Sequence, residues 1–112
     1  MFQLVRNPTY WWPVKIETPG KKPGQFERQE FEAEFNWISE SEKTALLEGD
    51  GASVKATVDR VFNQWRGIRN GEEEFVVTPE NREALLNFSG MRNAIVMAWL
   101  ESLAGDRARR KN

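Results

Sequence analysis

Two runs of glutamate are where this chain could do chemistry. Glu30, Glu32 and Glu34 alternate with apolar residues, and Glu72, Glu73 and Glu74 are contiguous. Paired carboxylates can act as general acid and base. Alternate positions on a strand also bring carboxylates to one face, at a spacing a divalent ion could bridge. The chain contains no histidine and no cysteine. That removes Ser-His-Asp and Cys-His nucleophilic systems, thiolate zinc sites and every imidazole ligand or proton shuttle. Gly20 and Gly24 sit in a proline-interrupted loop with no helix after it, unlike a phosphate-cradling loop. The plainer reading of both acid runs is solvation, the first as the wet face of an amphipathic strand and the second as an acidic turn. The chain reads as a non-enzyme with no catalytic residue, cofactor or metal.

Nucleic-acid binding needs bases interleaved with accessible aromatics. Tyr10, Trp11 and Trp12 with Lys15, Lys21 and Lys22 have that form, but Glu27, Glu30, Glu32 and Glu34 share the segment and would repel phosphates. The formal charge is -1, and residues 38–77 carry eight acids against five bases. A duplex-binding surface normally shows a basic excess, so no nucleic-acid partner is expected. The basic end, Arg107 to Lys111, suits a solubilising cap that complements a helix C-terminus. No apolar run reaches membrane-spanning length, and the first residues lack the layout of a signal peptide. A soluble chain in a reducing cytoplasm is expected, with no membrane partner.

At 112 residues the chain fits one domain, 1–112. Trp12, Val14 and Ile16 recur at period two, and Pro13 predicts an edge strand. Residues 18–24 are a loop by composition. Phe31, Ala33, Phe35 and Trp37 alternate with Glu30, Glu32, Glu34 and Asn36, which predicts a second strand and hence a hairpin over about 10–37. Phe26 falls out of that register, predicting a bulge or break near Gln29. A lone hairpin is marginal in water, so its apolar face must lie on helices or on another subunit.

Helices are predicted over the rest, residues 39–105. Ser39 with Glu42 has the form of a capping box for a first helix through Leu47. Val54, Val58, Val61, Trp65 and Ile68 form a helical stripe over more than three turns, which suits core better than a coiled-coil seam at two heptads. Residues 74–77 read as a short strand or an extended lead-in. Thr78 as N-cap and Pro79 at N1 open a third helix to about Asn87. A fourth runs from Met91 to about Ala104, with Gly105 as C-cap and a disordered basic tail over 106–112. The fold class is α+β, a hairpin followed by a small bundle of about four helices.

The segment 61–112 resembles the tail assembly chaperones of long-tailed (siphovirus-type) bacteriophages and prophages. The likeness is carried by the order of Trp65-Arg66-Gly67-Ile68, Glu74-Phe75, Thr78-Pro79-Glu80-Asn81, Leu85-Leu86, Gly90, Ala94-Ile95, Ala98-Trp99-Leu100-Glu101 and the ending Ala108 to Asn112. The resemblance implies a non-catalytic protein of the host cytoplasm, absent from the finished virion. Such a protein coats the tape-measure protein, keeps it soluble, recruits tail-tube protein and self-associates. Many members are made in two lengths by a frameshift, for which codons of Lys111-Asn112 could supply the slippery run. The alternatives are a structural minor tail or completion protein kept in the virion and, more distantly, a nucleic-acid accessory protein.

A chaperone for an apolar helical client needs exposed apolar surface rather than an active site. Met97, Trp99, Leu100 and Leu103 on the fourth helix are the expected contributors. Trp11 joins them, since it points to the hairpin face opposite Trp12 and Val14.

Overall fold

The computed structural model describes Phe2 and residues 8–109. The expected hairpin forms from β1 (Thr9–Pro19) and β2 (Phe26–Asn36), antiparallel in one unbroken register. Trp12 lies opposite Ala33, and Val14 opposite Phe31. Cross-strand partners share a face, so β1 and β2 together present one apolar surface. Val14, Ala33 and Phe35 are wholly buried within it. β1 is an edge strand, as Pro13 predicts. The bulge expected near Gln29 does not occur in this pair. Phe26 instead sits opposite Pro19 on the outer face, 68% exposed at the hairpin's far end. Nothing buries that end, so nothing forces the register to shift.

The largest departure from the sequence reading is at residues 54–68. α2 (Val54–Val61) stops after two turns, and Phe62–Arg66 is a strand, β3, paired antiparallel to β2. The apolar spacing misleads for a physical reason. A register shift between Glu34 and Phe35 leaves Asn63 as an extra residue, with Gln64 opposite Glu34 and Phe62 opposite Phe35. Residues three apart face opposite ways on a regular strand, but the bulge returns Phe62 and Trp65 to one buried face. Their spacing therefore imitates a helix. The Asn63 carbonyl freed from the ladder accepts a bond from Arg82 Nη1 at 3.3 Å. The Arg82 guanidinium also lies 4.9 Å from the centre of the Phe62 ring. Burial lowers the Arg82 pKa, while Asp59 acts in the opposite direction.

Three helix starts follow their caps. Ser39 Oγ accepts from Glu42 N at 3.1 Å and opens α1 (Glu40–Glu48). The Glu42 carboxylate pairs with Arg60, tying α1 to α2. Ser53 caps α2 in the same way, accepting from Ala56 N at 3.0 Å. Thr78 Oγ1 accepts from Asn81 N at 3.0 Å and opens α3 (Pro79–Leu86). Between β3 and α3, two short strands, β4 (Arg69–Asn70) and β5 (Glu73–Glu74), make a tight hairpin. Gly67 turns the chain out of β3 at a φ of +84°, a conformation costly for any residue with a Cβ. Gly90, at a φ of +81°, turns α3 into α4 (Met91–Arg109). Gly105 does not cap α4, because the helix continues through it, and residues 106–109 are helical rather than a disordered tail. A helix tolerates an interior glycine at a cost of about 1 kcal/mol. Residues 110–112, also assigned to that tail, lie outside the described residues.

α4 lies across the inner face of β1 and packs beside α2. Ile95 and Trp99 are fully buried there, with Val58 and Val61 of α2 and Phe35 of β2 also at the centre. The architecture is α+β: the described residues form a three-stranded sheet, a two-stranded hairpin and four helices. No helix among the described residues is long and apolar enough to cross a membrane.

One polar contact fastens α4 to the sheet. The Tyr10 hydroxyl lies 2.7 Å from Ser102 Oγ, and that hydroxyl donates in turn to the Trp99 carbonyl. Burial pushes the Tyr10 pKa above the ordinary phenol range, with the Ser102 bond acting the other way. Because the raised group is neutral when protonated, its share of stability is complete below the unfolded-state pKa and lost as pH rises through the folded one. We expect stability in urea to decline above about pH 10. Tyr10→Phe should flatten part of that decline, while costing about 1 kcal/mol at neutral pH. Identical alkaline slopes in both proteins would show that Tyr10 is not the group responsible.

Candidate protein-interaction surfaces

Of the two glutamate runs, Glu72, Glu73 and Glu74 stand exposed on the β4–β5 hairpin, whereas Glu30, Glu32 and Glu34 lie on the outer face of the three-stranded sheet, where two of the three are engaged. Glu32 accepts from Arg66 Nε at 2.8 Å, and the Arg66 guanidinium stacks 4.0 Å from the centre of the Trp11 ring. Glu34 accepts from Thr9 Oγ1 at 3.2 Å and from Gln64 Nε2 at 3.1 Å. Asn36 and Asn63 exchange side-chain bonds beside it at 2.9 and 2.7 Å. This face is a polar lattice across three strands, holding two glutamates by neighbouring donors. Among the described residues, no group of three or more acidic side chains is arranged to hold a metal ion.

The five residues expected at an interface separate. Trp99 is fully buried, so its place on a shared surface is withdrawn. The sequence of α4 is apolar almost all round, which conceals the side that α2 and β1 cover. Met91, Ile95, Ala98 and Trp99 form that covered side. Met97 is 65% exposed, high for so apolar a residue in the middle of a helix. Leu100 and Leu103 are half-buried and pack against the core from its margin, as does Val96. Val96, Met97, Leu100 and Leu103 thus make an apolar flank along α4 at helical spacing. Trp11 is half-buried on the outer face beneath Arg66, apart from this flank.

A second apolar feature was not foreseen. A groove of about 450 Å³ runs between the inner face of the hairpin and the junction of α3 with α4. Ile16, Phe31, Ile68, Phe75, Leu85 and Phe88 line it. The β4–β5 hairpin forms one wall, held to β3 by one bond and closed at its base by another. Trp65 Nε1 donates to the Phe75 carbonyl at 2.7 Å, and Phe75 N donates to the Ile68 carbonyl at 2.9 Å. Phe88 stands 50% exposed on the groove rim. One signal in the sequence could have found it: the turn Phe88-Ser89-Gly90 carries a large aromatic where a small polar residue would serve.

The chain matches no protein-family model, no curated protein and no solved structure.

Proposed function

We propose that this chain is a tail assembly chaperone of a long-tailed bacteriophage or prophage. In this reading it binds the tape-measure protein in the host cytoplasm, holds it soluble and helps recruit tail-tube protein. The family likeness of residues 61–112 is the origin of the reading, and the observation that carries it is the exposed Met97 on the flank of α4. Met97, with Val96, Leu100 and Leu103 beside it, offers apolar surface along a helix whose opposite side is already packed. A long apolar helical client can lie along such a flank, helix against helix. Methionine suits a client of varied sequence, because its unbranched side chain adapts to irregular apolar surfaces.

The test is co-expression with a tape-measure protein, scoring how much of the client is soluble. The client should be largely insoluble alone and largely soluble with its partner, and the chain should be missing from purified virions. No gain in solubility sinks the chaperone reading. Recovery of the chain in purified virions would favour a structural tail protein instead.

A further inference from the structure

We propose that the free edge of β2 beside the apolar groove takes up an extended segment of a partner protein as an added strand. The register fixes which way the backbone of β2 faces. Trp37 N donates to the Pro8 carbonyl at 2.9 Å and Gly20 N to the Gln25 carbonyl at 2.7 Å, one at each end of the β1–β2 ladder. Bonded positions alternate along an antiparallel pair, so the odd-numbered residues of β2 bond to β1. Arg28, Glu30, Glu32 and Glu34 therefore direct their N–H and C=O groups to the other side. There β3 meets Glu32 and Glu34 but turns away at Gly67. Among the described residues, no bond reaches the backbone of Arg28 or Glu30 on that side.

The groove lies where β3 would have continued. Gln29, Glu30 and Phe31 of β2 border it on one side, and Ile68, Arg69 and Asn70 on the other. A strand added there runs antiparallel to β2, as β3 does. Its side chain opposite Gln29 falls on the inner face and enters the groove toward Phe31, Phe75 and Phe88. The residue before it, opposite Glu30, falls on the outer face. Two residues along, Arg66 of β3 already pairs with Glu32 in that way. Glu30 lies opposite Lys15 of β1 but enters no ion pair among the described residues. The occupant is thus an extended segment in which a basic residue is followed by an apolar one. An apolar groove alone would not choose between a strand and a helix, but unmet backbone groups along its border select the strand. The open edge of β1 is guarded instead, because Pro13 and Pro19 on it offer no N–H.

The inference does not depend on the chaperone reading, because a short peptide tests it on the isolated chain. The probe is acetyl-Lys-Phe-Glu-Thr-Val-amide, with its lysine opposite Glu30, its phenylalanine in the groove and its glutamate opposite Arg28. In an NMR titration it should shift the amide resonances of Arg28 and Glu30 saturably and slow their exchange with solvent. N-methylation at the peptide's glutamate, whose N–H faces β2, should weaken binding about tenfold. N-methylation at its phenylalanine, whose N–H faces away, should leave binding within about twofold. Phe88→Ser, on the groove rim, should weaken binding about tenfold. A peptide that leaves both amides unmoved overturns the proposal, as does equal binding of the two methylated peptides. So does a response of these amides to the chain's own concentration without peptide, which would make a second copy the occupant.

Discussion

Trp99→Ala is expected to lower the free energy of unfolding by about 3–5 kcal/mol, the range for deleting a buried aromatic from a core. Small domains hold only about 5–15 kcal/mol in total, so this one change should consume a large part of the stability. Trp99 is fully buried on the side of α4 that meets the sheet and α2. Its loss would open a void between all three layers. The magnitude also discriminates between two roles. A tryptophan kept for a partner could be removed at little cost to folding, whereas a core tryptophan cannot. The indole N–H adds a further test, because it meets no acceptor among the described residues. A buried donor left unmet costs about 1–3 kcal/mol, and phenylalanine would not incur that cost. Trp99→Phe should therefore lose roughly half as much stability as Trp99→Ala, or less. Urea titration of the three proteins checks both statements. An alanine variant within about 1 kcal/mol of wild type would show that the core is not organised around this side chain.

Trp99 also marks the limit of what the sequence disclosed. Alternation and capping were legible because each is a local rule with one geometric meaning. Trp12, Val14 and Ile16 on one strand share a face with Phe31, Ala33 and Phe35 on the other and define the hairpin, and Ser39 and Thr78 place two helix starts at the residue. The run from Val54 to Ile68 was not legible, since a bulged strand and a helix can place residues three apart on the same side. What decided between them was the open edge of β2, whose backbone groups need partners, and that is a property of another segment. The candidate surfaces divide in the same way. Exposure of Met97 and burial of Trp99 differ by two positions on a helix that is apolar almost all round, and only packing distinguishes them. The groove joins residues of β1, β2, α3 and the β4–β5 hairpin, so no local pattern announces it.

If the flank of α4 holds the client, Met97→Glu should abolish solubilisation of the tape-measure protein while leaving the chain folded. Met97 is 65% exposed, so a charge there costs the isolated domain little, within about 0.5 kcal/mol. In a complex the same carboxylate would be pressed against an apolar helix with no cation supplied for it. Burial without a partner carries a desolvation penalty, and an interface built around that position should weaken by about a hundredfold. Leu100→Asp would be a poorer test, since Leu100 is half-buried against the core and its replacement would disturb folding as well. Glu48→Gln, at the exposed end of α1, serves as the control and should solubilise the client as wild type does. Co-expression with equal amounts of each variant, followed by separation of soluble and pelleted client, gives the readout. A Met97→Glu protein that still solubilises the client would move the binding site off α4, even with the chaperone reading intact.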